Sequence, residues 1–220
     1  MNTLTKMALG LMGQLHTKPA SGEALAVMSL PPAQTAGGLP LLEALRLRHS
    51  ARAFRPQALT PQELSDLLWA ACGINRQAEG GRTAPSAMNA QEVDLYVALP
   101  QGLYRYVPKE HALQLTLAED VRRVTGYQDF VDTAPLDLIF VADHSRMKIV
   151  PAAMRESYAS VAAGAMAQNI YLYCASVGLS TVVRAWFDRQ ALTQAMGLTP
   201  DQQLLLTQTV GWPTVEGAAL

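Results

Sequence analysis

Hydrophobic positions recur along this chain with two periods, and each period marks an element. Leu64, Leu67, Leu68 and Ala71 fall at i, i+3, i+4 and i+7, which is one buried face of a helix. Thr60-Pro61-Gln62-Glu63 in front of them is a helix start: Thr60 caps, Pro61 suits the first turn and Glu63 completes a capping box, with Gly73 as the stop. Leu42, Ala44 and Leu45 predict a short amphipathic helix that ends near Arg48. The longest helical stretch, residues 156–177, is rich in Ala and closed by Gly178. Its small residues (Ala159, Ala162, Ala163, Gly164, Ala167) let another helix or backbone approach closely. A last helix is expected over 189–196, capped by Asp188. The other pattern is extended. Residues 95–99 and 103–107 read as strands joined by Pro100-Gln101-Gly102, hence a hairpin. Residues 136–142 form an apolar, β-branched run, a strand buried on both sides, and shorter strands follow at 181–184 and 204–210. Helices and strands interleave, but the hairpin forbids a purely parallel sheet. The expected class is α+β, with helices around a central mixed or antiparallel sheet.

Residues 1–38 read as a leader, because Pro31, Pro32, Gly37 and Gly38 break any regular pattern; a single domain is expected over 39–220. The apolar run from Met7 to Leu15 after Lys6 could be a weak export signal, although it is short and contains Gln14. No stretch reaches the length of a membrane span. A cytoplasmic protein is the expectation, with export left open.

Composition narrows the functional classes. The chain of 220 residues is half hydrophobic, enough for a sizeable core, and its formal net charge of -1 argues against a nucleic-acid binder. Cys72 and Cys174 sit in apolar, helix-like stretches and read as buried structural thiols. The four histidines show no metal-ligand spacing. There is no P-loop, no G-x-S-x-G elbow and no dinucleotide-binding glycine fingerprint, so a borrowed cofactor is the natural source of reactivity.

Three segments could hold one. Arg48-His49-Ser50-Ala51-Arg52 puts two guanidiniums and a hydroxyl within five residues, a donor set matched to phosphate; the alternative is a solvated basic turn. Pro85-Ser86-Ala87-Met88-Asn89-Ala90-Gln91 offers neutral donors and acceptors that suit the edge of a heteroaromatic ring; the alternative is a turn that satisfies its own backbone. Residues 178–188 pass from a helix end through a short strand to a helix cap, exposing backbone N–H groups in a fixed direction, with Asp188 as a purely structural cap.

These segments, in this order, resemble the FMN-dependent nitroreductase family. Arg48 to Phe54 is similar to its first flavin-binding motif, and Pro85 to Gln91 to its Pro-Ser-x-x-Asn-x-Gln loop. Gln168-Asn169, Gly178-Leu179, Phe187-Asp188 and Gly211-Trp212-Pro213 match later landmarks, so the likeness runs from about Leu39 to Pro213. Arg82 to Ser86 and Gly102 to Tyr106 look most like the branch named for SagB and thiazole-forming oxidases. The resemblance implies a nitroreductase-like fold and a homodimer with FMN in each cleft between subunits. It implies that Arg48 and Ser50, flanking His49, hold the phosphate. Arg52 would stand near the ribityl chain and the N1–C2=O edge. Pro85, Ser86, Ala87, Asn89 and Gln91 would reach in from the partner chain, and the backbone of Val183, Arg184 and Ala185 would pass the N5 edge. It implies ping-pong hydride transfer from NADH or NADPH to an acceptor such as a nitroaromatic or quinone, with no catalytic side chain. Oxidation of a C–N or heterocyclic bond, or a flavin-binding protein with degraded catalysis, are the alternatives. Two departures matter. The family's basic residues beyond the Gly-x-Pro landmark have no counterpart, because Arg189 is the last Lys or Arg. The N5 loop carries Ala185-Trp186 where many members have a Glu-Gly pair.

Overall fold

A computed structural model describes residues 1–214. Its centre is a seven-stranded sheet. In chain order the strands are β1 (Val27–Ser29), β2 (Val93–Leu99), β3 (Gly102–Val107), β4 (Ala112–Leu117), β5 (Leu136–Asp143), β6 (Ser180–Arg184) and β7 (Gln202–Gly211). Across the sheet they lie in the order β6-β7-β5-β2-β3-β4-β1. Every neighbouring pair is antiparallel. The hairpin expected from Pro100-Gln101-Gly102 pairs Leu99 with Gly102. The apolar run at 136–142 is the central β5. Leu138, Phe140 and Ala142 enter the core on one face, and Ile139 and Val141 the core on the other. Burial on both sides explains why β5 lacks the polar alternation of a half-exposed strand.

Helices cover both faces. α3 (Pro61–Cys72) and α4 (Ala152–Val177) pack on the first, with α2 (Leu41–Leu47) against α4. The capping box at Thr60 forms as the sequence predicts, and Gly178 closes α4 in the left-handed conformation at φ 77°. α5 (Arg189–Met196) lies on the other face, its N-terminus capped by Asp188 accepting from the Ala191 amide at 2.9 Å. Cys72 and Cys174 are buried and free, and burial pushes the Cys72 thiol up to about 12.

The segment read as a leader is packed on the domain. α1 (Thr3–Leu11) buries Lys6, whose ammonium sits 3.1 Å from Asp132 and donates to the Gln128 carbonyl at 3.0 Å. Burial pulls the Lys6 pKa down, and Asp132 opposes that pull. Further along, β1 adds to the sheet edge through Val27–Gln114, Met28–Leu113 and Ser29–Ala112. A proline-rich stretch then docks through a hydrogen-bonded chain. The Ser65 hydroxyl donates to the Pro31 carbonyl at 2.6 Å, so the His111 Nε2–H donates to Ser65 at 2.7 Å and Nδ1 accepts from Tyr106 at 2.9 Å. None of the helices among the described residues is long and apolar enough to cross a membrane.

A buried ion pair ties the edge of the sheet to its centre. Arg184, at the end of β6, donates to Asp137 on β5 at 2.5 Å, to Thr209 on β7 at 2.7 Å and to the Thr125 carbonyl at 2.9 Å. Asp137 is fully buried, so Asp137→Ala strands a guanidinium in the core and is expected to cost about 3–5 kcal/mol. Chemical denaturation of the variant checks this. The His111 chain gives a pH dependence. Burial holds the His111 pKa below its ordinary 6.5, so the folded protein binds that proton less readily than the unfolded chain. Stability attributable to His111 is complete above 6.5 and falls as pH drops through the lowered folded value. Between pH 7.5 and 5.5 the thermal midpoint of His111→Gln is expected to fall less than that of the wild type.

Candidate active site

The turn after α2 is laid along the outer edge of β6. The Ala51 amide donates to the Thr181 carbonyl at 3.1 Å, and the Ser50 hydroxyl meets Tyr171 Oη at 2.7 Å. Tyr171 comes from α4, is nearly fully buried and also accepts from the Val183 amide at 3.0 Å. The Arg48 guanidinium lies over its ring, 5.2 Å from the centroid. One side chain therefore gathers Arg48, Ser50 and Val183, and nothing in the sequence patterns marked it. A tyrosine among the small residues of a long helix reads as core; its position two residues beyond Asn169 was the available hint.

Among the described residues neither Arg48 nor Arg52 has a carboxylate within ion-pair distance, and Arg52 makes only a long 3.5 Å contact to its own turn at the Ser50 carbonyl. His49 turns its Nδ1 back on the Leu47 carbonyl at 2.9 Å. Two uncompensated guanidiniums and a hydroxyl at a partly exposed turn can bind an anion. Phe54, by contrast, is buried 5.3 Å from Phe130 and bridges to Pro213, while the Arg55 amide donates to the Trp212 carbonyl at 2.9 Å. The Gly211-Trp212-Pro213 landmark thus closes against the first motif.

β6 turns the backbone of Thr181 and Val183 outward, while the Arg184 side chain faces inward to Asp137. Thr181 and Val183 spend outward-facing groups on Ala51 and Tyr171. By strand alternation the Val183 carbonyl and Ala185 amide continue the same edge. Beyond them Trp186 is 54% exposed and meets Tyr127 edge-on at 5.5 Å.

The second segment stands apart. No hydrogen bond among the described residues joins it to the 48–52 turn. Pro85 and Ser86 instead line a small gap with Ala162 and Met166, further up α4. The loop is strained: Met88, Asn89 and Gln91 have φ of 54°, 53° and 50°, left-handed values that cost a non-glycine residue about 1–3 kcal/mol. It is held by its own side chains. Ser86 Oγ accepts from the Gln91 amide at 2.7 Å, and Gln91 Nε2 donates to the Gly80 carbonyl at 2.9 Å and to Asn89 at 3.2 Å. Gln91 is therefore committed to bracing, Ala87 begins the single turn that carries the strain, and Asn89 and Met88 are presented outward.

This fold and donor set have clear relatives. The nitroreductase family profile matches residues 45–212. A Methanocaldococcus jannaschii protein that carries the nitroreductase name is 32% identical over 169 residues, which are 69% of this chain and 85% of its own. The crystal structure of a Ralstonia eutropha protein, also titled a nitroreductase, is 51% identical with a TM-score of 0.87, covering 91% of this chain and 95% of that one. A Desulfovibrio desulfuricans nitroreductase solved in complex with FMN shares the fold at 22% identity and a TM-score of 0.57, covering 84% of this chain and 92% of that one. The chain belongs to the nitroreductase family and is, with it, an FMN-dependent oxidoreductase.

The bracing of the strained loop can be tested directly. Ser86→Ala leaves the Gln91 amide without its acceptor and is expected to cost about 1 kcal/mol, with faster hydrogen exchange at that amide. Exchange unchanged at Gln91 would show that the hydroxyl does not hold the loop.

Proposed function

We propose that FMN binds along the outer edge of β6 and that the enzyme transfers hydride from NADH or NADPH to an acceptor such as a nitroaromatic or quinone. The observation that carries this reading is the convergence of Arg48, Ser50 and the β6 edge on Tyr171. It supports the reading because it sets the 48–52 turn beside the outward-facing backbone of β6. Arg48 and Ser50 would hold the phosphate. Arg52, at the far end of the same turn, would serve the N1–C2=O edge. A fixed cation there favours negative charge on the reduced ring without reorganising when it forms. The backbone of Val183 to Ala185 would line the N5 edge. When bound, FMN would supply two-electron hydride-transfer chemistry. The chain's residues bind, orient and stabilise charge, and none becomes covalently involved.

The active unit in this reading is a homodimer. Ser86 and Asn89 make no hydrogen bond to the 48–52 turn of their own chain among the described residues, and in this reading a second copy brings them to the flavin. Exposed apolar side chains support an interface. Leu41, Leu42 and Leu45 lie outward on α2, and Met154 and Val161 outward on α4, with Val161 69% exposed. Obligate interfaces bury large apolar areas of this kind. Light scattering at micromolar concentration is expected to give a dimer.

Two variants separate the ends of the flavin. Arg52→Ala removes a charged partner worth about 1.5–3 kcal/mol, a roughly tenfold to hundredfold loss of FMN affinity, and lowers the reduction potential of bound flavin. Arg48→Ala weakens binding similarly and leaves the potential nearly unchanged, since the phosphate is remote from the ring. Titration with FMN and potentiometry check both; an unchanged potential in Arg52→Ala would remove Arg52 from the ring.

A further inference from the structure

We infer that Tyr171 is a positioning residue that sets the polarity of the Ser50 hydroxyl and thereby makes it a phosphate donor. The inference rests on the reading of the 48–52 turn as the phosphate end of the flavin site. The Tyr171 hydroxyl stands between two partners at hydrogen-bond distance. It accepts from the Val183 amide at 3.0 Å and lies 2.7 Å from Ser50 Oγ. The buried Tyr171 hydroxyl has one hydrogen to place, and among the described residues Ser50 Oγ is the one acceptor beside it. Tyr171 therefore donates to Ser50, and the Ser50 hydrogen is left to point away, out of the turn. The result is a chain of donors in one direction: Val183 N–H to Tyr171, Tyr171 to Ser50, Ser50 to the anion. Such chains polarise each member, so the last donor is stronger than an isolated serine.

The setting supports a fixed polarity. Tyr171 is buried, so water does not compete for its hydroxyl, whereas Ser50 is exposed and open to a ligand. Val183 lies on a strand held in register by five pairs with β7, so the amide that starts the chain does not move. Arg48 lies over the face of the same ring, 5.2 Å from its centroid. Tyr171→Phe keeps the ring, its packing and this cation–π contact. It removes the hydroxyl and, with it, the acceptor of the Val183 amide.

The test compares FMN with riboflavin, which has the same ring and ribityl chain without the phosphate. Each is titrated into apoprotein of wild type, Tyr171→Phe, Ser50→Ala and the double variant, with thermal midpoints recorded alongside. Tyr171→Phe is expected to weaken FMN roughly tenfold and to leave riboflavin nearly unchanged. Ser50→Ala is expected to do the same, and the double variant to be little worse than either single one, because both act through one donor. Equal losses for FMN and riboflavin, no loss for either, or fully additive effects would each overturn the positioning role. A wild type that binds neither flavin would overturn the flavin reading itself. A wild type that binds both equally would remove the phosphate from this turn. Ser50→Thr in the wild-type background keeps a hydroxyl on the same hydrogen-bond chain and is expected to retain most of the preference for FMN; its loss of that preference would also count against the inference.

Discussion

A guanidinium sealed inside a protein must be paired, and the pairing of Arg184 organises the half of this molecule that carries the site. Its partners come from the central strand β5, from β7 and from the loop at Thr125. The Thr207 hydroxyl also donates to the Thr125 carbonyl at 2.9 Å, which draws that loop onto the sheet. Close approach is required: a Cβ at Gly126 would lie 1.8 Å from Arg184 Nη1. With its last side chain committed inward, the edge strand β6 has no freedom to slide or twist away. Its outer edge becomes a rigid line of backbone donors and acceptors, which is the property a planar cofactor needs of its support.

On that line the rest of the site is assembled by contact rather than by sequence proximity. α4 crosses the back of the sheet and lends Tyr171 to the edge, the turn after α2 is stitched to the same edge, and the C-terminal end of β7 closes against Phe54. The Pro85–Gln91 loop follows a different logic. It carries backbone strain that its own side chains hold in place, and it leaves Met88 and Asn89 exposed. Strain of this kind persists where the surroundings over-determine a shape that function uses.

Much of the scaffold was legible because local chemistry and tertiary packing agree. Thr60 to Glu63, Asp188 and Gly178 announce helix ends by mechanisms that need no tertiary partner, and β5 announces its burial by the apolar run that follows Asp137. The 48–52 and 85–91 segments stood out because their residue types are costly without a ligand or a turn to serve, and 178–188 because a helix end, a short strand and a helix cap follow one another there. What stayed hidden depends on distant pairing. β1 and β4 are short and ambiguous until they lie beside each other. Residues 1–38 looked detachable because prolines and glycines break the pattern, yet Lys6 finds Asp132 and Pro31 finds Ser65 only in the folded chain. Arg184 stood out for its backbone, while its side chain answers Asp137, 47 residues away along the chain. Tyr171 was hidden because a buried hydroxyl leaves no trace in a hydrophobic pattern.

The account stands or falls on whether this edge holds a flavin mononucleotide. The most direct measurement is the absorption spectrum of the purified protein, followed by mass identification of the cofactor released on heating. The account predicts a yellow protein whose flavin leaves without covalent attachment, has the mass of FMN and is present at one per chain. Release of FAD or riboflavin, or a colourless protein that takes up no FMN on reconstitution, would contradict it.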